Sequence, residues 1–256
     1  MPPRLRLTRR EALLGGLSAA GGLLLPGCTH ELPPTYGNLL RLGDALTYGA
    51  HRTLLSGRSL AREYSRGDIS SFPAIGTTDP GNASLPTFNP EFGATYARLR
   101  SGGFADWRVS IEGLVARPGQ YSLSDLKRMP ARTQITRHMC EEGWSAIAEW
   151  TGVPLGHVLQ AAGILPAARY VTFHTFDYWT DNIDMLDALH PQTLLTYGMN
   201  GADLPVPHGG PVRLRVETQV GYKSLKFLRR LVVHDAFDDL GKDGSMKNGW
   251  SWYAGI

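Results

Sequence analysis

Between Thr133 and Gly163 the chain reads as a strand that runs straight into a cysteine, turns on two acids and a glycine, and re-enters a helix. Thr133 to His138 forms the strand, and Glu141-Glu142-Gly143-Trp144 forms the turn after Cys140. Leu155 to Ala162 then sets Leu155, Val158 and Leu159 on one helix face before Gly163. A thiol at a strand end is held firmly by its backbone, while the loop that follows it can open onto a pocket. The 256 residues contain one other cysteine, Cys28. The fold therefore has to place a single reactive side chain without a local partner for it.

Residues 1–28 read as an export signal with a lipobox. A basic stretch ends in Arg9-Arg10-Glu11, an apolar run extends from Ala12 to Leu25, and Leu25-Pro26-Gly27-Cys28 follows. The paired arginines resemble a twin-arginine signal, used for proteins exported in folded form, and the last four residues resemble the site where a bacterial lipoprotein is lipidated on cysteine. An apolar run of about 14 residues is shorter than the roughly 20 that span a bilayer. A short membrane anchor or a plain signal cleaved elsewhere is the alternative. The expected location is the periplasm or cell envelope, with the membrane reached through a lipid on Cys28. The net charge of +3 belongs to this segment, because Arg4, Arg6, Arg9 and Arg10 lie in it against Glu11 alone. The rest of the chain is balanced, which argues against nucleic acid as a partner. Export also leaves Cys140 unpaired in an oxidising compartment. It is then a buried inert thiol, an intermolecular link, a nucleophile or a metal ligand.

Residues 29–103 form a poorly patterned N-terminal arm. Leu39 to Glu63 can make one or two short helices, and Ser70 to Pro90 reads as an extended loop that wraps the core, with Phe72, Ile75 and Phe88 as anchors. Pattern sharpens in residues 104–256. Trp107, Val109 and Ile111 alternate as in a half-buried strand, and Ser124 is placed to cap a brief helix stopped by Pro130. Tyr170 to Thr175 is a strand, Asp184 to Leu189 a helical turn, and Thr193 to Val206 a hairpin about Asn200-Gly201. Pro211 to Gly221 and Phe227 to Asp235 supply two more strands. The fold class expected is α+β, with mixed sheets and short helices preceded by a wrapping arm.

Three motifs carry a resemblance: Arg137-His138-Met139-Cys140-Glu141-Glu142-Gly143-Trp144, His208-Gly209-Gly210-Pro211-Val212-Arg213-Leu214, and Val220-Gly221-Tyr222-Lys223-Ser224-Leu225-Lys226. In that order, with about 70 residues between the first two, they resemble the sulfite oxidase fold family of molybdopterin-dependent oxidoreductases. The resemblance is closest to the exported bacterial members that include the methionine sulfoxide reductase catalytic subunits. It implies a sulfite oxidase-type molybdopterin-binding domain in which Cys140 is the one protein ligand to molybdenum. It further implies that Thr175, His208, Arg213, Gly221, Tyr222 and Lys223 contact the pterin cofactor. A soft thiolate suits a metal already held by sulfur, and a pterin phosphate calls for cations and backbone donors. The arm's contacts depart from the family pattern, leaving Phe72 to Thr77 and Phe88 to Glu91 in competition for that role.

The reaction implied is two-electron oxygen-atom transfer on a small-molecule oxo substrate. No haem-attachment motif and no flavin or dinucleotide fingerprint is present, so electrons are expected from a separate haem or quinone-linked protein. Glu141, Glu142, Trp144, Asp177, Tyr178 and Trp179, with Arg137 as the main cation, would surround the metal. That setting disfavours sulfite and favours reduction of an S- or N-oxide, with Asp177 and Tyr178 as catalytic candidates. Sulfite dehydrogenase-like oxidation, or a non-catalytic lipoprotein that retained the fold, are the alternatives. The dimerisation domain of sulfite oxidases would have to follow Ile256, so a monomer is expected.

Overall fold

The computed structural model describes residues 38–54, 59–71, 78–86, 88–177, 179–237 and 250–256. The expected export signal with Cys28, the arm segment 72–77 and Tyr178 lie outside the described residues. One sheet contains β1 (Arg108–Gly113), β2 (Gly119–Ser122), β5 (Tyr170–Thr175), β6 (Thr180–Asp184) and β10 (Leu228–His234), in the order β2-β1-β10-β5-β6. β1 and β10 run parallel, and the other neighbours are antiparallel. The second sheet runs β3 (Arg132–Met139), β4 (Ser145–Pro154), β7 (Leu194–Met199), β8 (Ala202–Asp203), with β9 (Arg213–Arg215) also paired to β7.

The core joins both sheets. Val109, Ile111, Phe173 and Leu231 from the first meet Val153, Leu195 and Leu214 from the second, and all are fully buried. The alternation read at Trp107, Val109 and Ile111 is thus the inward face of the first sheet. Helix α4 (Leu155–Ala162) has the bounds its pattern predicts, and Gly163 ends it at φ 74°, a left-handed conformation that costs glycine nothing. Its Leu155, Val158 and Leu159 each contribute about 1.5–3 kcal/mol by burial.

Some local readings differ. The cap of helix α3 (Leu123–Arg128) is Ser122 rather than Ser124, because Ser122 Oγ accepts from Asp125 N at 3.0 Å while Asp125 accepts from Ser122 N at 2.8 Å. Strands β4 and β6 were not anticipated, and the strand expected over Pro211 to Gly221 shrinks to β9. The Asn200-Gly201 turn has φ of 51° and 80°, as a tight hairpin requires.

The arm begins with α1 (Asn38–Leu54) and later includes α2 (Gly93–Ser101). Arg52 on α1 pairs with Asp184 at 2.8 Å and Asp187 at 2.7 Å, the latter in the short helix α5 (Met185–Ala188). Further on, Tyr64 N donates to Ile135 O and Ser70 N to Ile147 O, so the arm follows β3 and β4. Phe88, named as an anchor, packs against Gly93 so closely that a side chain there would collide with its ring.

Candidate cofactor site

The β3–β4 hairpin and the loops after β5, β8 and β9 enclose a cavity of about 600 Å³, within the range of sites for large ligands. Cys140 lines it from the hairpin turn. Cys140 N donates to Trp144 O at 2.9 Å and Gly143 N returns to Cys140 O at 3.1 Å, and Gly143 has φ 89°. These bonds fix the thiol while Glu141 and Glu142, whose carboxylates lie 3.5 and 3.8 Å from Sγ, form its rim. Burial, with smaller contributions from the two acids, pushes the thiol up to about 11. Trp144, Trp150, Trp179, Tyr222 and Trp250 also line the cavity, and Trp250 stacks between Trp179 and Tyr222 at 5.5 and 5.1 Å.

Opposite in character is a cationic wall. Arg213, Lys226 and His208 all line the cavity. Arg213 donates to His208 O at 3.0 Å and Ser224 O at 2.7 Å, its guanidinium lies 5.3 Å from the Trp150 ring, and its Nε is buried without a hydrogen bond among the described residues. Lys226 Nζ donates to Thr78 Oγ1 and Pro207 O. Burial comes first for all three: Arg213, next to Arg215, is pulled down to about 9, Lys226, next to Arg213, to about 8, and His208, facing both Arg213 and Lys226, to about 4, which leaves its ring uncharged near neutral pH. Gly209, at φ 103°, is needed for this packing, since a Cβ there would sit 2.7 Å from the Lys226 Cβ.

Cys140, Asp177, His208, Arg213, Gly221 and Tyr222 are brought together as cavity-lining residues. Two other expected contacts stand behind the wall. Thr175 is 2% exposed and its hydroxyl is engaged by Asp177 and by Trp179 O, so it positions the Asp177 loop. Lys223 is fully buried, 2.7 Å from Asp181 and 3.1 Å from Asn182 O, and Lys226 takes the lining position. Arg137 is not the main cation near the thiol either: it is exposed and stacks on Tyr64 at 5.4 Å. Asp177 accepts from Trp179 N at 2.9 Å, its carbonyl accepts from Asn89 of the arm, and burial raises its carboxyl above the usual range. The residues missed were Lys226, His138 and Trp250. Lys226 and His138 lie within motifs already read, whereas Trp250 comes from a stretch without a pattern; Asn89 falls in Phe88 to Glu91, one of the two arm stretches named as candidate contacts.

The chain is similar in sequence to several known proteins. The model of the oxidoreductase molybdopterin-binding domain matches residues 98–239. A protein of Azospira oryzae, provisionally named protein-methionine-sulfoxide reductase subunit YedZ1, is 32% identical over all of this chain and 88% of its own length. The protein-methionine-sulfoxide reductase catalytic subunit MsrP of Xanthomonas axonopodis is 30% identical over 85% of this chain and 67% of that protein. The MsrP of Ralstonia nicotianae is 32% identical over 59% of this chain and 50% of that protein. The sulfane dehydrogenase SoxCD of Paracoccus pantotrophus aligns over 51% of this chain and 39% of its own, at 26% identity and a TM-score of 0.48.

The chain belongs to the oxidoreductase molybdopterin-binding domain family, the sulfite oxidase-type fold expected from its motifs. It is a molybdopterin-dependent oxidoreductase. The residues present fit that cofactor. Among the described residues no three His, Cys, Asp or Glu side chains gather to hold a metal unaided, so Cys140 suits a metal that arrives with sulfur ligands of its own. Arg213, whose Nε is buried at the cavity wall without a hydrogen bond among the described residues, and Lys226 on the same wall suit an anion at the other end.

Proposed function

We propose that this protein is an exported reductase of S- or N-oxides, with the protein-methionine-sulfoxide reductases as its functional relatives. The observation that carries the reading is one cavity joining a lone thiol to a cationic wall, under a mouth of acids and tryptophans. When bound, the molybdenum-pterin group supplies two-electron oxygen-atom transfer. Cys140 would be its protein ligand, bound as the thiolate despite the raised affinity of the free thiol. Arg213 and Lys226 hold the anionic end of the cofactor, with His208 beside them. Glu141 and Glu142 repel an anion such as sulfite at the mouth, while the tryptophans accept an uncharged organic oxide.

Removal of oxygen as water consumes two protons with the two electrons. Asp177, whose proton affinity burial raises and which lines the cavity, is the candidate donor of one of them. Electrons come from a separate haem or quinone-linked membrane protein. The twin-arginine pair and the lipobox at Cys28 support periplasmic placement beside that partner. No helix among the described residues is long and apolar enough to cross a membrane.

Molybdenum analysis of the wild type beside Cys140→Ser tests the ligand. The expected result is metal in the wild type and almost none in the variant, and equal metal in both defeats the assignment. With a reduced dye as electron source, a methyl sulfoxide is expected to be turned over, whereas sulfite added with an oxidised dye is not.

A further inference from the structure

His138 belongs to the motif around Cys140 but has no part in the reading above. Its ring lines the cavity, 5.7 Å from Trp144. Arg215 NH1 lies 2.6 Å from His138 Nδ1. A guanidinium has donors only, so Nδ1 must offer its lone pair, and a neutral ring then carries its hydrogen on Nε2. Each nitrogen of Arg215 has a partner. Its Nε and NH2 donate to the two oxygens of Glu217 at 3.0 and 2.8 Å, its Cζ lies 4.4 Å from the centre of the Trp150 ring, and Gln134 holds Glu217 at 3.1 Å.

Arg215 and Glu217 are both buried, with side chains 1% exposed. A buried pair of this kind is a poor source of stability, because desolvation offsets most of the attraction. Its evident effect is orientation: the guanidinium has one direction left, and that direction ends on the imidazole. The opposite edge of the ring faces Gly221, where a Cβ would stand 2.4 Å from Cε1 and 2.6 Å from Nε2. Glycine at that position lets this ring edge pack against the backbone, and Nε2 has no hydrogen-bond partner among the described residues.

We propose that His138 presents its Nε2–H to the oxygen atom of an uncharged oxo substrate, and that Arg215 is the positioning residue that imposes this tautomer. A neutral donor beside the thiol binds an oxide through its oxygen without attracting an anion, which separates the two substrate classes by charge. The inference rests on the reductase reading for its substrate, but the tautomer stands without it.

Histidine-selective 15N NMR of the full-length holoprotein, with the His138 signals assigned by their absence in His138→Gln, reads the tautomer directly. The expected spectrum has a bare Nδ1 and a protonated Nε2, and a hydrogen on Nδ1 or on both nitrogens overturns the proposal. Dimethyl sulfoxide, as a neutral oxide probe, is expected to shift the Nε2–H signal, and no shift at saturation overturns the contact. Glu217→Gln keeps the shape but loosens the guanidinium, so a mixture of tautomers is expected. An unchanged spectrum removes Arg215 from its role.

In turnover, His138→Leu is expected to raise KM for a methyl sulfoxide about tenfold with a smaller change in kcat, the size of one lost hydrogen bond. His138→Gln, which keeps a neutral N–H, recovers most of that loss. Unchanged KM in the leucine variant, or loss of its molybdenum, overturns the substrate role. If the wild type turns over no oxide at all, the proposed function fails, while the tautomer and the probe response still decide this inference.

Discussion

Two groups of buried charge in this protein behave in opposite ways. Beneath α1, Arg52 closes on Asp184 and Asp187, and Lys223 closes on Asp181, so cations meet carboxylates at 2.7–2.8 Å. Around the cavity, Arg213, Lys226 and His208 share a wall, and Arg213 lowers the proton affinity of the other two. They are held in place by carbonyl oxygens and an aromatic face. The first group is closed by carboxylates, although Arg52 Nε is buried without a hydrogen bond among the described residues. The second presents Arg213 and Lys226 to the cavity, and that placement distinguishes a binding wall from scaffold.

The contrast can be broken by substitution. Lys223→Met leaves Asp181 buried without its cation and is expected to cost about 3–5 kcal/mol, read from denaturant midpoints. A loss below about 1 kcal/mol would place Lys223 outside the scaffold group. Lys226→Met is expected to leave the cofactor-free protein near neutral pH as stable or more so, while molybdenum content falls. Equal destabilisation by the two substitutions would erase the distinction.

A pH series sharpens the second case. Lys226 in the fold has its affinity lowered to about 8, below that of a lysine in the unfolded chain. Between that pH and the ordinary lysine value the unfolded chain keeps a proton the folded chain has released, so its contribution to stability rises with pH. The midpoint difference between wild type and Lys226→Met, measured without cofactor, should therefore move in favour of the wild type across the window. A flat difference contradicts the depressed affinity. The smallest effect is expected away from both groups, where Ser122→Ala removes the α3 cap at a cost of about 1 kcal/mol.

Where side chains announced their own surroundings, the fold was legible. Leu155 to Ala162 and Tyr170 to Thr175 appear at their expected bounds because apolar spacing and Gly163 are local signals. β6 was not legible, since its sequence Thr-Asp-Asn-Ile-Asp reads as a polar loop. Its Asp181, Asn182 and Asp184 are buried only because Lys223, Trp252 and Arg52 arrive from 42, 70 and 132 positions away. β4 was hidden in another way, by burial on both faces and a register shift at Thr151/Gly152 that removes its alternation. At the site, the motif around Val220 contains both lysines, and it is Lys226 that lines the cavity while Lys223 is buried behind it. Lys223 and Lys226 differ in which face of the segment they leave from, which only the Gly221–Lys223 turn decides.

The last strand of the first sheet is not at its edge. β10 lies between β1 and β5, pairing Ser110 with Arg230 on one side and Thr172 with Val232 on the other. Until residue 234 has left the ribosome, that sheet exists as two separate pieces, β2-β1 and β5-β6. The longest loop closures must precede the contacts that reward them, which makes such a sheet slow to form. Synthesis and assembly of this sheet are therefore separate in time.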